Sequence, residues 1–220
     1  MHSDQATSFT WRAQGGIEIR VNGVGRKPGE IRAKDLVIRS LTVRSNGDVY
    51  ATTAAPDGGN QLWLIPARGA AKRLDDGLKD GTGIAASPDG LWLFVAQSRS
   101  HLGISYRILP NGTVDAREPL YTFYVPAWAD GSGAGEITMD RDGRAYVATR
   151  MGVQIFDRNG RVTAILPLPG NEQATGICFG GQDFNVLYVS GGGKVYGRKL
   201  SVQGAPSSGA PTKLPLWGAG

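Results

Sequence analysis

Residues 83–98, GIAASPDGLWLFVAQS, form two short apolar stretches separated by the turn Ser87-Pro88-Asp89-Gly90. An Asp-Gly pair favours a tight hairpin, because glycine tolerates the positive φ that such a turn needs. The same pattern of strand, polar turn and strand occurs three more times in the chain. These repeats are SLTVRSNGDVYATT from Ser40, EITMDRDGRAYVATR from Glu136 and GICFGGQDFNVLYVSG from Gly176. Related hairpins at intervals along one chain predict a repetitive all-β fold.

A third strand-like segment follows each hairpin, and in places a further turn and a fourth strand come after it. The third segments are QLWLI from Gln61, GISYRIL from Gly103, GVQIFD from Gly152 and KVYGRKL from Lys194. Sheets of four antiparallel strands, repeated roughly every 40 to 50 residues, are the blades of a β-propeller. No window of helical length shows a sustained 3.6-residue period. We therefore predict an all-β propeller, with about four to five blades visible in this chain.

The chain divides into three regions by pattern and composition. Residues 1–39 contain strand-like alternation and are expected to form part of a blade. Residues 40–204 hold the repeats and are expected to form the propeller blades. Residues 205–220 are rich in proline, glycine and serine, a composition that predicts an extended or disordered tail.

Composition excludes several classes of protein. With 40% hydrophobic and 20% charged residues the chain is typical of a soluble globular protein. Its net charge is +5, but acids are interleaved with the scattered basic residues, so we expect no nucleic-acid binding. No apolar run approaches the roughly 18 residues that span a bilayer, so we expect no membrane insertion. The first residues lack an apolar stretch of signal-peptide length, and the localisation stays open.

A single cysteine, Cys178, excludes an intrachain disulfide. It lies within the apolar alternation of Ile177-Cys178-Phe179. This position predicts a buried structural thiol rather than a reactive one.

Three long phrases in the chain carry a family resemblance. They are GTGIAASPDGLWLFVAQSRSH, SGAGEITMDRDGRAYVATRMGVQIFDRNGRV and ICFGGQDFNVLYVSGGGKVYGRKL. In order and spacing, this text resembles the gluconolactonase/regucalcin family, of the senescence-marker-protein type. The resemblance covers roughly residues 36–204 and implies a six-bladed propeller of which the chain holds the C-terminal blades.

This resemblance implies hydrolysis of a sugar lactone or a related small ester. Members of the family bind one divalent cation in the central channel, where it polarises the lactone carbonyl and activates water. The resemblance therefore implies a Ca²⁺, Mg²⁺ or Zn²⁺ ion and a sugar-like small-molecule ligand. Oxygen ligands are expected at the channel-facing starts of the inner strands.

The residues at the implied ligand positions differ from the family pattern. Thr82 corresponds to the family's asparagine ligand. Arg39 brings a positive charge to another of the family's metal-ligand positions. The family's aspartate corresponds to Gly135, with Glu136 one residue later; Glu136 replaces it only if the backbone bulges, because a one-residue shift turns a strand side chain to the other face. The resemblance thus predicts an altered metal site. Its predicted ligands are Glu136, Thr82 and Asp130, and its predicted catalytic residues are Glu136 and His101.

The loops that return to the channel mouth predict the residues that bind the substrate. If the inner strands start at the mouth, the loops after each second strand lie there too. The predicted substrate-binding residues are Arg39, Arg99, Arg150, Trp128 and Thr175. Alternative roles stay open for three of these mouth residues: a rim hydrogen bond for His101, a structural ion pair for Arg150 and a channel plug for Trp128.

Two other functions stay open beside hydrolysis. The propeller can bind a carbohydrate or an acidic metabolite without catalysis, through the basic residues of its mouth. It can also be a module of a larger assembly. We expect exposed blade edges to allow self-association, because an unpaired edge strand presents free backbone donors and acceptors.

Overall fold

The computed structural model describes residues 7–11, 17–21, 36–54, 59–206 and 209–215. These residues form 17 β-strands, and the described part of the chain contains no α-helix. One 3-10 turn lies at Pro169–Asn171. None of the described residues forms a helix long and apolar enough to span a membrane.

Four sheets and one hairpin account for all of these strands. A two-stranded hairpin comes first, formed by β1 (Thr7–Trp11) and β2 (Ile17–Val21). The first blade contains β3 (Val37–Val43), β4 (Val49–Ala54), β5 (Asn60–Ile65) and β6 (Lys72–Leu78). The second contains β7 (Gly81–Ala86), β8 (Trp92–Gln97), β9 (Leu102–Ile108) and β10 (Val114–Thr122). The third contains β11 (Ile137–Met139), β12 (Ala145–Thr149), β13 (Gly152–Phe156) and β14 (Val162–Leu166). The fourth contains β15 (Ala174–Gly180), β16 (Val186–Gly191) and β17 (Lys194–Lys199).

Every blade is an antiparallel meander, so the predicted all-β propeller is confirmed. Strands follow one another in chain order from the inner strand outward in each blade. Hairpin turns make this possible: Gly47, Gly90 and Gly143 have φ values of 87°, 71° and 82°. A residue with a Cβ is strained at such angles, which is why glycine stands at each of these turns.

Blades pack face to face through alternating apolar side chains. Tyr121 from the second blade lies 4.8 Å from Phe156 of the third, measured between ring centroids. Tyr146 of the third blade lies 5.1 Å from Phe179 of the fourth, nearly edge to face. Aromatic pairs at these separations add to the free energy gained from area burial. The core is therefore a series of apolar layers between neighbouring blades.

Three of the four inner strands are interrupted by a bulge near one end of the channel. In β3 the cross-strand pairs on either side of Arg39 skip that residue. Thr82 in β7 and Thr175 in β15 are skipped in the same way. A bulge re-aims the side chains next to it. The bulged end of the channel is called the mouth below.

In the third blade, the two residues that precede β11, Gly135 and Glu136, both lie opposite one residue of β12, Ala148. The Gly135 N–H donates to the Ala148 carbonyl at 2.8 Å, and the Ala148 N–H donates to the Glu136 carbonyl at 3.0 Å. The backbone at Gly135 and Glu136 is therefore irregular at the same level as the three bulges. A backbone bulge at this point is the condition under which the Glu136 carboxylate, one residue later than in the family pattern, can replace the family's aspartate.

Backbones of three inner strands meet directly beneath the mouth. A Cβ added to Gly83 would lie 2.3 Å from the Gly135 carbonyl oxygen, and one added to Gly135 would lie 2.1 Å from that of Thr175. The Glu136 N–H donates to the Thr175 carbonyl at 3.2 Å. We call this layer of Gly83, Gly135 and Thr175 the backbone floor.

The C-terminal segment crosses the far end of the channel, where the first hairpin turn of each blade lies. The Ala205 N–H donates to the Met139 carbonyl and the Thr212 N–H to the Pro88 carbonyl, both at 2.8 Å. The Arg158 guanidinium donates to the Pro215 carbonyl at 2.7 Å. Residues 205–206 and 209–215 therefore run across the ends of blades two and three in an extended form.

Candidate functional site

A pocket of about 690 Å³ opens at the mouth, above the backbone floor. We call it the rim pocket. Its polar lining includes Thr82, Arg99, Asp130, Arg150, Gln173 and Thr175. Five of these six residues are predicted site residues, and Gln173 is the one that the sequence reasoning missed. Gln173 follows a turn of no recognisable motif, so only the fold reveals its position.

Two arginines make the rim pocket positively charged. Arg99 is exposed, while Arg150 is partly buried and its Nε atom has no hydrogen-bond partner among the described residues. Neither arginine forms an ion pair with a carboxylate in the part of the chain that the structure describes. Guanidinium groups recognise carboxylates and other anions through paired N–H donors. The pocket is thus suited to an anionic or oxygen-rich ligand.

Arg39 does not contribute a free charge to the pocket. Its Nη1 donates to Asp80 Oδ1 at 2.8 Å. The other oxygen of Asp80 accepts a short hydrogen bond from Ser98, whose side chain borders the rim pocket. Arg39 therefore links the first blade to the second at the mouth.

The loop between the second and third blades carries Trp128 and Asp130 to the rim. Trp128 is 73% exposed, and the Arg150 guanidinium carbon lies 5.5 Å from the centroid of its ring. A cation over an aromatic face is attracted by the ring quadrupole. Asp130 is exposed and lines the pocket itself.

Both ends of this loop are fixed by hydrogen bonds. The buried Gln154 amide binds the backbone of Tyr124 on both sides, accepting from its N–H at 2.8 Å and donating to its carbonyl at 2.7 Å. At the other end the Ser132 hydroxyl donates to the Gln97 carbonyl at 3.0 Å. The loop that bears Trp128 is therefore anchored rather than loosely attached.

The two threonines at the bulges keep acceptor capacity toward the pocket. The Thr82 hydroxyl donates to the Ala134 carbonyl at 2.5 Å, and the Thr175 hydroxyl donates to the Ser190 carbonyl at 3.2 Å. A hydroxyl that donates one hydrogen bond still has lone pairs for another donor. These side chains can therefore accept hydrogen bonds from ligand hydroxyls.

Glu136 lines a different space, a cavity of about 560 Å³ between the inner strands below the backbone floor. We call this the channel cavity. The Ser40 hydroxyl donates to Glu136 Oε2 at 2.7 Å from the opposite side of the channel. Burial raises the pKa of Glu136 above its ordinary value, although the Ser40 hydrogen bond acts in the opposite direction. Ser40 is a second residue that sequence reasoning missed.

Two further residues singled out in the sequence, His101 and Cys178, have exposed side chains. His101 is exposed and is not among the described residues that line the rim pocket or the channel cavity. Its catalytic role stays a prediction. Cys178 is exposed and borders the channel cavity, so the prediction of a buried thiol was wrong. It faces the channel because the apolar residues on both sides of it point into the core.

The described side chains do not fit a divalent cation. Ca²⁺ and Mg²⁺ take about six or more oxygen ligands, several of them usually carboxylates. No group of three or more His, Cys, Asp or Glu side chains suitable for a metal occurs within the described ranges. Of the predicted ligands, Glu136 lines the channel cavity, whereas Thr82 and Asp130 line the rim pocket beside two arginines. The predicted ligands are therefore divided between two spaces and do not form one metal site.

Comparisons with known proteins agree with the fold. A family model described as the SMP-30/Gluconolactonase/LRE-like region matches residues 31–192. None of the curated protein sequences matches the chain.

Solved structures of this type superpose over most of the chain. A luciferin-regenerating enzyme gives a TM-score of 0.68 at 22% identity, covering 97% of this chain and 83% of that one. A gluconolactonase from Xanthomonas campestris gives 0.65 at 21% identity, covering 87% and 66%. Regucalcin from Agrobacterium tumefaciens, a calcium-binding protein, gives 0.63 at 16% identity, covering 86% and 65%. The chain thus spans about two thirds of the length of the last two proteins.

Proposed function

Because the chain belongs to the SMP-30/gluconolactonase/LRE-like family, we propose that it hydrolyses a sugar lactone or a related small ester in the rim pocket. In this altered site, arginines take the role that a cation has elsewhere in the family. The observation that carries the proposal is the pair Arg99 and Arg150. Both line one pocket, and neither has a carboxylate partner among the described residues.

The arginines supply positive charge next to the carbonyl oxygen of a bound ester. Negative charge develops on the carbonyl oxygen when water adds to the carbonyl carbon. A fixed guanidinium stabilises that charge in the way that a metal ion or a backbone oxyanion hole does. Arg150 is the better placed of the two, because it is partly buried and its charge is therefore screened less by water than that of the exposed Arg99.

Asp130 is the carboxylate that lines the same pocket. It accepts a proton from the attacking water while the water oxygen bonds to the carbonyl carbon. The ring C–O bond then breaks, and the ring oxygen takes the proton back from Asp130 to become a hydroxyl group, while the new carboxylic acid loses its proton to water. The product is the open-chain hydroxy acid, whose carboxylate stays next to the arginines until it leaves.

The remaining polar residues bind the hydroxyl groups of the substrate. Thr82 and Thr175 accept hydrogen bonds, and Gln173 offers an amide oxygen. Trp128 presents an exposed ring at the edge of the pocket, suited to stack on the apolar face of a sugar ring. The site thus favours a small polyhydroxylated ligand.

A second function is favoured by the position of Glu136. This partly buried carboxylate lines the channel cavity instead of the rim pocket, which leaves the pocket with one exposed acid among its described lining residues. A pocket with two arginines and one carboxylate also fits simple binding of an acidic metabolite, such as a sugar acid. In that case binding occurs without turnover.

Initial rates of gluconolactone ring opening test the proposal. The wild type is compared with Arg150→Gln and Arg99→Gln, with Arg198→Gln on the exposed strand β17 as the matched charge control. We expect kcat to fall about 100-fold for Arg150→Gln, the typical cost of one oxyanion donor, and to stay unchanged for Arg198→Gln. Calorimetric titration with gluconate measures binding of a sugar acid, and so distinguishes binding without turnover from hydrolysis.

Hydrolysis above the protein-free rate that depends on Arg150 supports the enzyme. Gluconate binding that depends on Arg150 without hydrolysis supports the binding protein. If the hydrolysis rate and the gluconate affinity are the same in the wild type and in the Arg150→Gln, Arg99→Gln and Arg198→Gln variants, both functions are contradicted.

A further inference from the structure

The channel cavity lies apart from the rim pocket and has no role in the function proposed above. Its volume of about 560 Å³ falls within the roughly 300 to 1,000 Å³ of small-molecule sites. The backbone floor lies between the two spaces, since Gly135 lines the pocket and Glu136 lines the cavity. Ligands can therefore occupy the two spaces independently.

One end of the channel cavity carries a carboxylate without a counter-ion. Glu136 Oε2 accepts a hydrogen bond from Ser40, and no basic side chain among the described residues forms an ion pair with Glu136. A buried charge normally has an ionic partner, because removal from water is costly. An ammonium group of a ligand would supply that partner.

Between its polar groups the cavity is apolar. Its walls include Leu41, Ile84, Ile137, Met139, Ile177 and Phe179. Arg44 also lines the cavity, just beyond the end of β3, and its Nη2 donates to the Gly90 carbonyl at 3.2 Å. A positive charge in the lining favours a ligand with one ammonium group over one with two, because like charges repel.

We propose that the channel cavity is a binding site for a small aliphatic monoamine, whose ammonium group pairs with Glu136 and whose alkyl chain lies against the apolar walls. Solvent reaches this space, because the Cys178 side chain that borders it is exposed. Ammonium donates up to three hydrogen bonds, and the Glu136 carboxylate, which accepts one from Ser40, has lone pairs left for it.

Titration calorimetry with n-hexylammonium chloride tests this proposal on the full chain. The probes for comparison are 1-hexanol, which has no charge, and 1,6-diaminohexane, which has two charges. Glu136→Gln removes the charge and keeps the size of the side chain. Glu118→Gln, at an exposed position on the outer strand β10 and outside the lining of the cavity, makes the same substitution.

The expected result is binding of hexylammonium that weakens about 10- to 100-fold in Glu136→Gln, as for loss of a charged hydrogen bond. Glu118→Gln should bind as the wild type does, and hexanol and the diamine should bind more weakly. A second variant, Cys178→Trp, keeps the carboxylate but fills the cavity and should also abolish binding.

Three results would overturn the proposal. One is no heat of binding with the wild type, another is equal binding by Glu136→Gln, and the third is equal affinity for hexanol and hexylammonium. Each leaves the function of the rim pocket untouched, since that function is measured with gluconolactone and Arg150 variants.

Discussion

The Ser40 hydroxyl reaches across the channel and donates to Glu136 Oε2 at 2.7 Å. Ser40 belongs to the inner strand of the first blade, and Glu136 directly precedes that of the third. The contact therefore joins the inner ends of two blades that do not follow each other in the chain. The contact holds a carboxylate in a space where burial raises its pKa.

Replacing Glu136 by glutamine should make the protein more stable at high pH. A raised pKa means that the folded state binds the proton more tightly than the unfolded chain. Stability from this group is therefore fully present below its unfolded pKa of 4.5 and is lost as the pH rises through the folded pKa. Glutamine keeps an oxygen that accepts from Ser40 and has no charge. Thermal unfolding should give a higher Tm for Glu136→Gln at pH 8 and equal Tm values at pH 4; a lower Tm at pH 8 would contradict this.

The backbone floor should not tolerate a side chain at Gly135. An added Cβ would lie 2.1 Å from the Thr175 carbonyl oxygen, which is backbone and cannot move aside cheaply. We expect Gly135→Ala to lower the free energy of unfolding by about 2 kcal/mol or more, as in severe overpacking. Gly197→Ala is the control, because its nearest neighbour atom is 3.4 Å away. Urea unfolding of both variants measures the difference, and equal stability would show that the strands lie farther apart.

Trp128 should contribute to binding and little to folding. Its side chain is 73% exposed and contacts Arg150 at the edge of the rim pocket. We expect Trp128→Ala to raise KM for gluconolactone about 5-fold, the size of an aromatic contact of roughly 1 kcal/mol. The Tm should stay within a degree or two of the wild type. Leu91→Ala, at a distant exposed turn, should change neither quantity. A large loss of Tm in Trp128→Ala would instead indicate a structural plug.

Asp75 should stabilise the contact between the first and second blades. Burial alone would raise its pKa, but hydrogen bonds from Tyr106, Gly77 and Arg117 outweigh it and hold the pKa below the ordinary value. The stabilisation is therefore present above the unfolded pKa of 3.8 and is lost as the pH falls through the folded pKa. Asp75→Asn should lower stability at pH 7 by about 1 to 3 kcal/mol. The gap from the wild type, measured by urea unfolding, should shrink toward pH 3; a constant gap would be evidence against this role.

The hairpin repeats were predictable because their signals are local. An Asp-Gly or Asn-Gly pair between apolar stretches sets a turn without help from the rest of the chain, as Gly47 and Gly90 illustrate. The convergence of Arg99 and Arg150 at the mouth was also predictable, since it depends only on the order of strands within a blade.

The contacts between blades could not be predicted from the sequence. Arg39 pairs with Asp80, 41 residues away, and this neutralises a charge that the sequence appeared to offer to a ligand. The Gln154 amide that fixes Tyr124 comes from a position that reads as an ordinary polar residue in a strand. Such partners depend on how blades pack and on where bulges fall, and neither follows from local propensity.

Gluconolactone hydrolysis in the presence of a chelator tests the central claim most directly. The initial rate is measured with protein that has been treated with EDTA and then supplied, or not, with Ca²⁺, Mg²⁺ or Zn²⁺. If arginines stabilise the developing oxyanion, the rate with chelated protein should stay above the protein-free rate and should not rise when a cation is added. Loss of the rate with EDTA and its recovery with one of the cations would contradict this account, because it would show that a metal performs the step.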